Sequence, residues 1–309
     1  MSERPIASAF SRTARVICVL NYAAGTSRPE AADLFRRVAL EHGNHPEVLL
    51  PEPGTDLMAL ARHAATQQPD ILVAGGGDGT LNAAAAALLG SKTSLGVLPL
   101  GTLNHFAKDV GIPLELETAA RTIFTGRTAA LDVGVVNDHV FINNSSLGLY
   151  PRIVRQREAH QRLGHSKWIA FAKALAYVTR HPRSIYLRIR IDGAGARSRR
   201  TPFVFIGNNR YEIAGLNIGK RTSLAGETLW VCQAPDTDHW GLLRLTLRAL
   251  SGRLRDSDLE ATEAREVWIE TRPHHAVVST DGEVWQMRPH LHYTTMPKAL
   301  KVIVPADRS

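Results

Sequence analysis

The sequence predicts an open, parallel α/β half followed by an all-β half, most simply a sandwich. Three observations carry this. Up to Asp132, short apolar runs alternate with helical stretches, the pattern of a parallel sheet covered on both faces. After Asp132, strand-like runs follow one another at turn-rich intervals, the pattern of an antiparallel domain. Between the third apolar run and the third helical stretch sits a block of glycines around one acid, Gly75-Gly-Gly-Asp-Gly79.

In order, Arg15–Leu20 reads as a strand and Pro29–His42 as a helix with proline near its start. Glu47–Leu50 reads as a strand, Thr55–Gln67 as a helix and Asp70–Ala74 as a strand. The alanine-rich Leu81–Leu89 is a helix, Leu95–Leu98 a strand and Glu115–Thr125 a helix. Val133–Asn143, Ser184–Asp192, Thr201–Gly207, Thr228–Ala234, Val267–Glu270, His274–Thr280 and His290–Tyr293 read as the strands of the second half. A helical insert, Arg152–His181, interrupts them. The run Leu300–Val304 can return to either half. Residues 1–134 thus form the first domain, with 295–309 able to complete it, and 135–294 form the second, its insert falling at about 152–181.

At 309 residues the chain is too long for one ordinary core and long enough for two. A hydrophobic fraction of 44% and a charged fraction of 21% are those of a soluble globular protein. No apolar run reaches the length of a membrane span, and Met1–Arg15 lacks the apolar middle of a signal peptide. The expectation is a cytoplasmic protein. Cys18 and Cys232 are lone thiols in strand-like runs, which suits buried, reduced side chains. A net charge of +8 points to an anionic partner, and charge alone does not choose among nucleic acid, membrane and nucleotide.

Strand, glycine run, helix is the arrangement that presents unpaired backbone N–H groups to a phosphate. Glycines permit positive φ and let a ligand approach the backbone closely, while Thr80 can cap the helix. The dinucleotide spacing G-x-G-x-x-G is not met, and the nearest match to G-x-x-x-x-G-K-[ST], Gly215–Thr222, is one residue short. An acid inside an anion-binding loop has a reason if Mg²⁺ accompanies the phosphates. Gly75, Gly76, Gly77, Asp78, Gly79 and Thr80 therefore form the candidate cradle. Gly101, Thr102 and Asn104 in the next strand–helix loop, and Asn21 after the first strand, should join it, since ligands of open α/β sheets bind at the carboxyl ends of strands.

With these residues in hand, the chain resembles the diacylglycerol kinase catalytic family, which includes bacterial lipid kinases and sphingosine kinases. Gly75–Thr80 is similar to its GGDGT signature, Asn21–Gly25 to its N-P-x-S-G turn with Tyr22 for proline, and Pro99–Ala107 to its P-x-G-T-x-N-D-F-A segment. Leu131–Gly134, Asn143–Gly148, Gly207–Asn209 and Thr280–Glu283 match further motifs in the family's order. The resemblance implies an NAD-kinase-like nucleotide-binding domain, a β-sandwich lipid-substrate domain and an active site in the interdomain cleft. It implies transfer of the ATP γ-phosphate to a membrane lipid hydroxyl, diacylglycerol first, to give phosphatidic acid. It implies Asp281 as general base with Glu283 supporting it, and Asp78 with Asp132 ordering Mg²⁺ through water. Sphingosine-kinase-like members give the base role to the glycine-loop acid, here Asp78, so both readings of the base stay open. An Asp-Gly pair is also a strong hairpin signal in its own right. Two departures stand out: His105 where the family carries Asp, and Ala225 where some members hold a structural metal, so no second metal is expected.

Between Arg152 and Arg183 the basic residues and the apolar Trp168, Ile169, Phe171 and Leu175 recur at helical spacing, which suits an anionic membrane surface and a peripheral position on its inner face. A core-packing helix with a solvated basic face has the same pattern. No recognition helix, zinc spacing or RNA-binding motif accompanies the charge, so nucleic acid is not expected as a partner. A sphingoid base, a polyprenol or a soluble molecule stays open as acceptor. So does a non-catalytic nucleotide- or lipid-binding regulator, and so does a homodimer.

Overall fold

A computed structural model describes residues 13–21, 29–52, 54–148, 184–214, 217–236, 239–250, 255–272, 275–288 and 290–306. The expected helical insert at 152–181 lies outside the described residues. The chain divides into two compact units, one of residues 1–131 with 298–309, the other of residues 132–297.

The first unit is built on a parallel sheet in the order β2 (Glu47–Leu49), β1 (Val16–Leu20), β3 (Ile71–Gly76), β4 (Ser94–Pro99) and the end of β18 (Leu291–Val304). Every residue of β1, β3 and β4 is buried, which is why these strands read as unbroken apolar runs rather than alternating ones. Helices α1 (Pro29–Glu41), α2 (Leu57–Thr66), α3 (Asp78–Ala87), α4 (His105–Asp109) and α5 (Leu116–Thr125) connect them. Asp56 starts α2 by accepting hydrogen bonds from the Met58 and Ala59 amides. The run Leu300–Val304 belongs to this unit, with Val302 in parallel register beside Leu95.

Two antiparallel sheets make up the second unit. One is ordered β14 (Glu260–Ala264), β13 (Leu229–Gln233), β10 (Phe203–Asn208), β7 (Asn144–Gly148), β16 (Ala276–Thr280), β17 (Glu283–Met287). The other runs from β9 (Arg197–Thr201) through β8 (Ile185–Ile191) and β15 (Glu266–Thr271) to the start of β18. Leu147, Val204, Ile206 and Val231 of the first sheet meet Leu187, Ile189, Val267 and Tyr293 of the second in one core. Strand β5 (Arg127–Val136) turns into β6 (His139–Phe141), and β11 (Tyr211–Ala214) pairs with β12 (Asn217–Arg221). A helix absent from the sequence reading, α6 (His239–Leu250), lies between β13 and β14, its Leu245 packed beside Phe205, Tyr211, Trp230 and Cys232.

Several expected strands are divided. Val133–Asn143 breaks at Asn137, whose φ of 50° suits an Asn turn. Thr201–Gly207 breaks at Pro202, where no amide is available for a ladder. Conversely, His290–Tyr293 and Leu300–Val304 belong to one long strand, β18. Cys18 and Cys232 are fully buried and free, and burial pushes the Cys18 thiol far up from its ordinary value. Phe141 lies against Gly134, where a β-carbon would collide with its ring, and edge-on to Tyr293 at 6.3 Å. Phe141→Ala should therefore cost about 3–5 kcal/mol in denaturant unfolding, and a loss below about 1 kcal/mol would show that this core collapses to fill the gap.

Candidate functional site

In the first unit, Asn21 after β1 and the turns after β3 and β4 lie side by side at the carboxyl ends of three neighbouring parallel strands. Asn21 donates its backbone N–H to the Gly75 carbonyl at 2.8 Å and its side-chain amide to Thr80 Oγ1 at 3.1 Å. Helix α3 begins at Asp78, three residues before the expected start, so Thr80 stands in its first turn rather than at the cap. Gly77 takes the cap position with no side-chain hydrogen bond, which leaves the opening amides of α3 to other partners.

The glycines are required for space, not for positive φ, which none of Gly75, Gly76, Gly77, Gly79 or Gly101 adopts. A β-carbon on Gly101 would collide with Gly77 Cα, and one on Gly76 would collide with Thr80 Oγ1. The β3–α3 and β4–α4 loops therefore touch backbone to backbone. Asp78 joins them as well: Oδ1 accepts the Phe106 amide at 3.1 Å and Oδ2 the His105 amide at 3.3 Å. Asn104 holds the second loop from inside. It is left-handed at φ 50°, its Oδ1 accepts Gly101 N–H at 2.9 Å, and its Nδ2 donates to the carbonyls of Gly101 at 2.8 Å and Pro99 at 3.3 Å. Asn104 thus braces the loop, while the Thr102 and His105 side chains reach solvent.

In the second unit, Asp281 and Gly282 form the two-residue turn between β16 and β17, with φ of 46° and 89°. Both central residues at positive φ mark the turn type that Asp-Gly favours. The carboxylate of Asp281 does further work. Oδ2 accepts the Ile142 amide at 2.7 Å, and Oδ1 accepts those of Asn143 at 2.9 Å and Asn144 at 3.0 Å. Asp281 also donates its own N–H to the Asn144 carbonyl at 2.9 Å. Glu283, the first residue of β17, is exposed, and partial desolvation pushes its carboxyl above the ordinary value. Beside this turn Trp285 donates to Thr280 Oγ1 at 2.8 Å and lies tilted against His139 with ring centroids 4.3 Å apart, and desolvation pushes the His139 imidazole down.

The same 142–144 segment is gripped from its other side. Buried Arg221 donates to the Ile142 carbonyl at 2.7 Å, Asn208 Nδ2 to the same carbonyl at 3.1 Å, and Tyr211 Oη to that of Asn143 at 2.9 Å. Asp132 is 2% exposed, and its Oδ2 accepts the Glu227 amide at 2.6 Å. Asn208 Nδ2 holds the Asp132 carbonyl at 2.8 Å. This placement suits a tie between β5 and the 224–227 loop better than a hydrated metal. Arg221 and Tyr211 were missed by sequence reasoning. Arg221 sat inside the near-match Gly215–Thr222, whose last described residues prove to be strand β12 and its exit.

Among the described residues no group of three or more His, Cys, Asp or Glu side chains is placed to hold a metal ion. The single carboxylate of Asp78 beside open amides does fit an Mg²⁺ that arrives on phosphates, the usual mode for that ion.

Residues 15–136 match the diacylglycerol kinase catalytic domain. A protein of Yersinia pestis (strain Pestoides F) named probable lipid kinase YegS-like is 29% identical over 299 residues, covering 91% of this chain and 90% of that one. A crystal structure of a putative diacylglycerol kinase from Bacillus anthracis aligns over 96% of this chain and 98% of its own, with TM-score 0.75 and 18% identity. An NAD kinase from Archaeoglobus fulgidus in complex with ATP aligns over 93% of each chain with TM-score 0.51 and 10% identity. These two likenesses show the fold. Asp281→Asn exchanges one amide-accepting oxygen for a donor facing an N–H, so it should destabilise the fold by about 1–3 kcal/mol and speed amide exchange at Ile142–Asn144. Unchanged exchange there would refute the tie.

Proposed function

Residues 15–136 match the diacylglycerol kinase catalytic domain, and from that premise we propose an ATP-dependent kinase of a membrane lipid hydroxyl, diacylglycerol first. The observation that carries the reading is the backbone contact of two glycine-bearing loops, Gly75–Thr80 and Gly101–Asn104, at the ends of adjacent parallel strands. Phosphoryl transfer asks mainly for positioning and charge neutralisation. The opening amides of α3 have no capping side chain, which suits the nucleotide's phosphates. Mg²⁺, when bound with the nucleotide, would be held by phosphate oxygens, water and Asp78, and supplies neutralisation of the charge on the transferring group.

As the acceptor oxygen bonds to the γ-phosphorus and the bond to the leaving ADP oxygen breaks, the hydroxyl proton must pass to a base. The Asp281–Glu283 turn offers two carboxylates. Asp281 spends its acceptor capacity on three main-chain amides, which suits it to positioning. Glu283 is exposed and its carboxyl is raised by desolvation, so of the two it is the residue we propose as that base. This reverses the order that the resemblance implies. The relative named probable lipid kinase supports the lipid as acceptor class, and the family's name supports diacylglycerol. One observation favours a nucleotide-binding regulator instead: His105 opens α4 where the family carries Asp.

Purified protein with ATP, Mg²⁺ and vesicle-borne diacylglycerol should form phosphatidic acid. Glu283→Gln should lower kcat by about a hundredfold or more. The wild-type rate should fall with falling pH along a limb set by Glu283, above pH 4.5, because the base must be ionised and desolvation raises its pKa from that value. A Glu283→Gln enzyme with near-normal kcat would remove Glu283 as the base. Binding of ATP without transfer to any lipid hydroxyl would favour the regulator.

A further inference from the structure

Helix α6 is amphipathic in an unusual sense. Its inner side packs Leu245 against the Phe205, Tyr211, Trp230 and Cys232 cluster on the outer face of the six-stranded sheet. Its opposite side carries Trp240, Arg244 and Leu247, spaced i, i+4 and i+7 and hence in one stripe. That stripe faces solvent. Trp240 is 76% exposed, the highest value among the exposed large apolar side chains of the described residues, and Leu247 is 41% exposed. Exposing a tryptophan and a leucine together on one stripe costs solvation free energy unless a partner covers them.

The chemistry of the stripe narrows the partner. No acid occurs in His239–Leu250, while Arg244 is exposed and Arg248 follows on the last turn, paired with Asp258. A second copy of the chain is a poor occupant, because a two-fold contact sets like patches against each other and would bring Arg244 towards its own counterpart. Nucleic acid would use the guanidinium but gains nothing from Leu247. A bilayer with anionic headgroups uses all three: an indole at the headgroup level, a leucine at the acyl boundary and an arginine beside phosphates. We infer that the Trp240–Arg244–Leu247 stripe of α6 is a docking site for an anionic membrane surface. The choice of a lipid surface over other anions rests on the lipid-kinase reading. The basic segment Arg152–Arg183, expected to meet such a surface, lies outside the described residues, and the α6 stripe stands without it.

The full-length protein, with no nucleotide and no acceptor present, is sedimented with vesicles of phosphatidylcholine alone and of phosphatidylcholine with phosphatidylglycerol. Binding should require phosphatidylglycerol and should blue-shift the tryptophan emission. Trp240→Ala should weaken binding about tenfold and remove most of that shift. Arg244→Glu should weaken it about five- to tenfold and reduce its salt dependence. Both positions are exposed, so thermal unfolding of the variants should match the wild type. Equal binding by wild type and both variants, or no binding to anionic vesicles, would overturn the inference. So would a dimer that Trp240→Ala splits, or a nucleic-acid duplex that binds in place of the vesicles. Since no phosphoryl transfer is measured, a failed kinase assay leaves this result standing, and the reverse holds too.

Discussion

The backbone contact between Gly101 and Gly77 is the constraint on which the first unit's candidate site depends. Strands β3 and β4 run in register up to Gly76 and Pro99, so their exit loops must either part or touch. They touch because neither carries a β-carbon at the crossing. Asp78 and Asn104 then fix the pair, one by accepting the amides that open α4, the other by closing its loop on Gly101. What remains at the strand ends is a surface on which the glycines leave backbone bare. A polyanion can approach such a surface more closely than any surface of side chains.

The second unit solves a different problem with the same economy. Asp132, Asn208 and Arg221 are buried, and burying polar groups is tolerable only when they are bonded. They bond main-chain atoms of Asp132, Ile142 and Glu227, so each polar side chain fixes a length of backbone. Asp281 does the same from the hairpin tip. The Ile142–Asn144 segment is consequently held from two sides, and the Asp281 carboxylate is fixed against it by three amides.

Much of this was legible in the sequence where the signal is local. The glycine block between Ala74 and Leu81 and the apolar runs of β1, β3 and β4 need only neighbouring residues to be read. The Asp-Gly turn was equally visible as a hairpin signal, and the structure has that hairpin. Its carboxylate's partners lie about 138 residues earlier in the chain, and no local pattern points to them. Arg221 was hidden for the same reason, since a buried cation is recognisable only by the carbonyls it meets. Helix α6 escaped because Trp240 and Leu247 sit on its solvent side, which blurs the one-sided periodicity that marks a surface helix. The positive φ expected of the loop glycines was a misattribution: they are needed for contact between two loops, and contact is a tertiary fact.

Backbone amide exchange with and without ATP and Mg²⁺ tests the central claim most directly, because a cradle made of amides must show itself in amides. Slowed exchange concentrated at Gly75–Thr80 and Gly101–Asn104 is the predicted result. Protection elsewhere, with those two loops unchanged, would contradict it.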